Sequence, residues 1–92
     1  MSAADAIWEF RLPTPIRFGD GCSAGLAAAA ATLGKRPLLA TDRVLRGLPL
    51  VQRLVEALGS APVFDRIEPN PTVAAVDALA ARLREVGADV VI

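Results

Sequence analysis

Three short aliphatic runs, "RPLLAT", "APVFD" and "ADVVI", recur along the chain, and the stretches between them carry helical periodicity. No other feature restricts the fold as tightly. Strands buried on both faces of a parallel sheet read as unbroken aliphatic runs, and parallel neighbours need a crossover long enough to hold a helix. The alternation therefore predicts right-handed βαβ units: an α/β fold with a parallel sheet and flanking helices.

The helical stretches can be placed individually. "CSAGLAAAAATLG" reads as a helix driven by alanine and closed by Gly34. In "LPLVQRLVEALG", Pro49 suits the first turn, Leu50, Leu54, Val55 and Leu58 form one stripe, and Gly59 ends it. In "NPTVAAVDALAARLREVG", Val73, Val76, Ala80 and Leu83 share a face, while Asp77, Arg82, Arg84 and Glu85 fall mostly elsewhere. Its cap is either Asn70, with Pro71 in the first turn, or Thr72. Ahead of these, "IWEF" and "PIRF" place apolar residues at alternate positions on either side of "RLPTP", which predicts an N-terminal antiparallel β-hairpin with one wet face.

Composition excludes whole classes of function. The 92 residues allow one small domain with a modest core, and 53% hydrophobic residues argue against disorder. Ten basic residues balance ten acidic ones without a basic cluster, so a nucleic-acid partner is not expected. With no histidine, neither a Ser-His-Asp triad nor a histidine-ligated metal site can form from this chain alone. Cys22 is the only cysteine, which excludes an internal disulfide and fits a reducing, cytoplasmic setting. Its expected role is that of a small apolar residue near a helix start. "MSAADAIWEF" lacks the basic and apolar regions of a signal peptide, and the longest uncharged stretch, residues 21–34, is too short for a membrane span.

Two stretches raise a nucleotide reading. In "FGDGCSA", Gly19, Gly21 and Ala24 satisfy the G-x-G-x-x-G/A spacing ahead of a helix, with Asp42 at a suitable distance for a ribose. The preceding "PIRF" alternates and carries Arg17, unlike the doubly buried first strand of a dinucleotide fold, so a plain turn into a helix competes with a phosphate cradle. In "PLLATDR", Asp42 follows a predicted parallel strand, where its carboxylate can accept hydrogen bonds from both ribose hydroxyls or cap the helix that follows. Asn70 in "EPNPT" follows the next strand and has the same two readings.

The order "PTPIRFGDG", "LGKRPLLATDRVL", "VFDRIEPNPTVAAV" and "LREVGADVVI" resembles the N-terminal part of the iron-dependent (group III) alcohol dehydrogenases, a family that includes the maleylacetate reductases. "EPNPT" at this distance after "TD", followed by "GADVVI", is the specific part of the match. The resemblance implies a partial Rossmann-like nucleotide-binding domain over residues 1–92, of the dehydroquinate synthase-like N-terminal type. It also implies hydride transfer between NAD or NADP and a small alcohol or carbonyl substrate. Asp42 matches the family acid near the adenosine ribose and favours NAD; Asn70 matches the asparagine beside the cofactor.

Family members continue into a "GGGS" turn for the pyrophosphate and a helical domain whose aspartate and three histidines hold iron or zinc. The resemblance thus implies a chain that stops before its phosphate loop, lacks the metal domain and is inactive alone. A homo-oligomer in the complete enzyme is compatible with it, and no membrane role is implied. A stand-alone nucleotide-binding or regulatory module and a nonfunctional gene remnant are the alternatives.

Overall fold

The structure, a computed structural model, describes residues 6–92. Residues 1–5, which carry part of the reading of the leader, lie outside the described residues. The aliphatic runs form strands β1 (Pro37–Ala40), β2 (Val63–Phe64) and β3 (Val90–Val91). Between and before them lie helices α1 (Leu26–Ala31), α2 (Arg43–Arg46), α3 (Pro49–Ala57) and α4 (Val73–Val86). The sheet is parallel throughout, in the order β2-β1-β3. Leu39 and Ala40 pair with Val63 and Phe64, and Pro37 and Leu38 pair with Val90 and Val91.

The α/β expectation therefore holds, with β1 central. Both neighbours cover it, which explains why Leu38 is fully buried and Leu39 nearly so. Ala30, Ala61, Phe64 and Val90 complete the buried apolar set. Helix α1 contributes only alanine there, so α1 and α3 approach closely over a thin core.

The amino end of the sheet is fixed by one carboxylate. Asp89 Oδ1 accepts from the backbone N–H groups of Lys35 and Arg36, at 3.0 and 2.7 Å, and Oδ2 accepts from Lys35 N–H at 3.1 Å. These bonds tie the start of β3 to the start of β1. They leave no room at Gly34, where a Cβ would lie 2.5 Å from Asp89 Oδ1 and collide with Val90. Gly34 thus serves close approach as well as helix termination. Gly87 ends α4 in the left-handed conformation, φ 67°, and its N–H bonds back to Arg84.

Two expectations are corrected. Among the described residues, "IWEF" and "PIRF" form no strand and no hairpin. Ile7 and Trp8 are more than nine-tenths exposed, and Phe10, Ile16 and Phe18 are also exposed. A two-stranded ribbon gains too little from its own hydrogen bonds without a surface for its apolar face, and Pro13 and Pro15 remove two donors. This extended segment contributes to a radius of gyration of 17.4 Å, against about 12 Å for a compact chain of this length. Cys22 is also exposed, in the 3-10 turn Cys22–Gly25 that precedes α1.

The cap of α4 is settled in favour of Thr72, whose Oγ1 accepts from Ala75 N–H at 3.2 Å. Asn70 and Pro71 precede the helix. The α4 stripe is covered only toward its C-terminal half: Val73 and Val76 are exposed, whereas Ala80 and Leu83 are partly covered. The four-residue helix α2 was not anticipated from periodicity, since one turn is too short to show any.

Candidate functional site

Beyond Ala40 and Phe64 the two paired strands leave the sheet in register, and their exits remain joined. Thr41 N–H donates to the Phe64 carbonyl at 2.8 Å, and Ile67 N–H donates to the Thr41 carbonyl at 3.1 Å. An antiparallel bridge then sets Asp42 opposite Arg66. Each residue lies two positions past the end of its strand. The result is a rim at the carboxyl edge of the sheet, held by backbone bonds that do not depend on side-chain identity.

Asp42, Arg43, Asp65, Arg66, Glu68 and Pro69 are among the residues around a cleft of about 460 Å³ on this rim. Another cleft at the opposite edge, beside Gly34 and Lys35, is about 300 Å³. Carboxyl ends of parallel strands are where ligands of open α/β sheets collect, so the location favours the rim cleft.

Asp42 takes up the capping role: its Oδ1 accepts from Leu45 N–H at 2.7 Å at the start of α2. Its Oδ2 makes no hydrogen bond among the described residues. The cap therefore uses one oxygen of the carboxylate and fixes the direction in which the other points. Asp65, two-thirds or more covered, accepts from Arg46 Nη1 at 2.7 Å. That bond, reinforced by the charges of Arg46 and Arg43, holds the Asp65 carboxyl below its ordinary range despite some desolvation. Asp65 is thus occupied in tying α2 to β2.

Arg66 is differently placed. Its guanidinium lies 5.4 Å from the centroid of the Phe64 ring, and it forms no ion pair among the described residues. Although the bridge sets it opposite Asp42, the two side chains do not pair. Asn70 stands one residue beyond Pro69, the last residue of the cleft lining, in a left-handed conformation with φ 53°. Asparagine tolerates this region better than most residues, and the bend redirects the chain into α4. Of the two site residues read from the sequence, Asp42 lies in the cleft and Asn70 lies beside it.

Sequence reasoning passed over Arg66. The signal was present: "LLATD" and "PVFDR" place Asp42 and Arg66 at equivalent positions past two strands of one sheet. Equal offsets from paired strand ends become spatial neighbours when the register is in phase.

The "FGDG" stretch gives a turn. Cys22 N–H donates to the Gly19 carbonyl at 3.2 Å and Ala24 N–H to the Gly21 carbonyl at 3.1 Å, so these amides are spent within the turn. No strand leads into it. An iron site does not fit the chain: it has no histidine, and among the described residues no three His, Cys, Asp or Glu side chains gather as a metal would require. None of the helices is long and apolar enough to cross a membrane.

No curated protein and no solved structure matches the chain. The family of iron-containing alcohol dehydrogenases does, over residues 13–92. That span takes in the sheet, the rim with Asp42 and Arg66, and the "EPNPT" turn before α4. A parallel sheet with a cleft at its carboxyl edge, together with this match, identifies the chain as a member of the iron-containing alcohol dehydrogenase family.

Proposed function

We propose that this chain forms the adenosine-side wall of the NAD(P) cleft in an enzyme that exchanges hydride between a small alcohol or carbonyl compound and a nicotinamide cofactor. The observation that carries the reading is the uncommitted carboxylate oxygen of Asp42, held over a cleft of about 460 Å³ at the carboxyl end of the central strand. The nicotinamide group supplies the hydride chemistry when bound. The residues here bind and orient: Asp42 Oδ2 accepts from ribose hydroxyls, and the Asn70 amide, at the left-handed bend, offers both a donor and an acceptor to the cofactor. Backbone bonds between the two strand exits keep the wall rigid.

Iron, and with it polarisation of the substrate oxygen, must come from residues outside this chain, as must the pyrophosphate turn. In this reading the 92 residues are inactive alone and work within a longer cytoplasmic enzyme, where an exposed Cys22 stays reduced. A stand-alone phosphate-binding module is disfavoured, because no strand leads into "FGDG" and the amides of Cys22 and Ala24 just after it are already bonded within the turn.

Substitution of Asp42 tests the reading in the complete enzyme. A carboxylate and a ribose 2′-phosphate about 5 Å apart repel by roughly 3 kcal/mol at an effective dielectric near 20. Salt and side-chain movement reduce this to about 1–3 kcal/mol, or about tenfold to over a hundredfold in cofactor preference. Asp42→Gly is therefore expected to move the NADP-to-NAD ratio of kcat/KM toward NADP by that factor. Losing the cap to glycine costs only about a few tenths of a kcal/mol, so the melting temperature should scarcely change. An unchanged cofactor ratio would reduce Asp42 to a cap.

A further inference from the structure

We propose that Arg66 gives this cleft an affinity for a ribose 2′-phosphate, so that cofactor choice is set by Asp42 and Arg66 acting in opposition. The inference rests on the cleft being the adenosine site and adds the chemical class it admits: a 2′-phosphorylated adenosine, as in NADP. Asp42 and Arg66 face each other across the bridge at the rim, yet neither neutralises the other. Asp42 is turned to its cap and Arg66 lies on Phe64. Asp65 is bonded to Arg46, and the charge of Arg43 falls on the same carboxylate. Among the arginines of the rim, Arg46 is committed to Asp65, whereas Arg66 forms no ion pair among the described residues and is held on Phe64.

Its setting suits a phosphate. A guanidinium presents a planar fork of donors that matches phosphate oxygens two at a time, and stacking on an aromatic ring limits the freedom lost on binding. Asp42 on one side accepts from a free 2′-hydroxyl and repels a 2′-phosphate. Arg66 on the other side attracts the phosphate and is indifferent to the hydroxyl. The pair thus makes the site responsive to both cofactors.

The experiment titrates the 92-residue chain with adenosine 5′-monophosphate and adenosine 2′,5′-bisphosphate at millimolar concentrations, following the amide resonances of Asp42, Arg66 and Ile67. Arg66→Ala should weaken the bisphosphate about tenfold, equivalent to about 1.4 kcal/mol, and leave the monophosphate within about twofold. Arg66→Lys, which keeps the charge without the fork, should recover part of the loss. Because Arg66 is exposed, both variants should retain the wild-type dispersion of amide resonances. Equal weakening of both nucleotides, no weakening of either, or a selective loss in Arg43→Ala with none in Arg66→Ala overturns the assignment. Binding of neither nucleotide by the unmodified chain would instead remove the adenosine site itself.

Discussion

Two regions of this chain carry comparable apolar patterns and meet different fates. Residues 7–18 place isoleucine, tryptophan and phenylalanine at alternate positions, and these side chains are exposed. Residues 37–40 offer only proline, two leucines and alanine, and they form the buried centre of the sheet. Intrinsic strand preference runs the other way, since aromatic and β-branched residues favour strands more than alanine or proline does. The difference is one of neighbours. β1 has a parallel partner on each side, while the N-terminal segment finds neither a third strand nor an apolar surface to cover. A pattern states which face a segment would bury, and burial then depends on what the rest of the protein supplies.

The widest separation between the regions should appear in truncation of their side chains. Leu38 is fully buried, and Leu38→Ala should cost about 2–5 kcal/mol through lost transfer energy and the cavity left behind. Phe10 is the larger side chain, yet at 88% exposure Phe10→Ala should change stability by less than about 0.5 kcal/mol. Urea titrations of both variants measure the contrast. Similar losses at the two positions would show that the N-terminal segment packs in solution, and the comparison would fail.

A smaller effect tests how tightly the sheet is closed at its amino edge. The Cβ introduced by Gly34→Ala would meet Asp89 and Val90, so either β3 shifts or the Asp89 bonds break. Overpacking of this kind costs about 1–3 kcal/mol. Gly19→Ala adds the same methyl where no atom lies within 4 Å, in the turn outside the sheet, and should be close to neutral. Equal melting temperatures for the two variants would mean that the β1–β3 edge yields easily.

The same contrast explains what could be read in advance. The three strands and four of the bounding residues (Gly34, Pro49, Gly59 and Gly87) were legible because continuous aliphatic runs and terminal glycine or proline reflect local physics. The hairpin was misread because alternation carries no information about the surface it needs. Asp42 was legible as a residue at a strand end, but that its cap to Leu45 occupies Oδ1 alone depends on side-chain geometry that no spacing records. Arg66 required the register between β1 and β2, a property of two segments together. The Asp89 latch was hidden for the same reason: its partners lie more than fifty residues earlier.

The smallest expected effect concerns that latch, and it is a pH effect. Asp89 and Asp65 both have carboxyl pKa values lowered from 3.8, Asp89 chiefly by the backbone N–H of Arg36 and then that of Lys35, Asp65 chiefly by Arg46. The folded chain thus holds these two carboxyls deprotonated at pH values where the unfolded chain has begun to protonate them. Their contribution to stability is complete above 3.8 and declines as pH falls through the lower folded values. Because Asp89 is reachable by solvent, the contribution is expected to be minor beside that of Leu38. Asp89→Asn keeps one acceptor and removes the charge, so it should be less stable than the unmodified chain near about pH 6. The gap should narrow as pH falls below 3.8 and through the lowered folded value, where the natural carboxyl is itself protonated. Melting curves of both proteins across that range measure the gap. A gap of constant size would show that the hydrogen bonds, and not the charge, make the latch, and that the edge resists acid as well as the buried centre does.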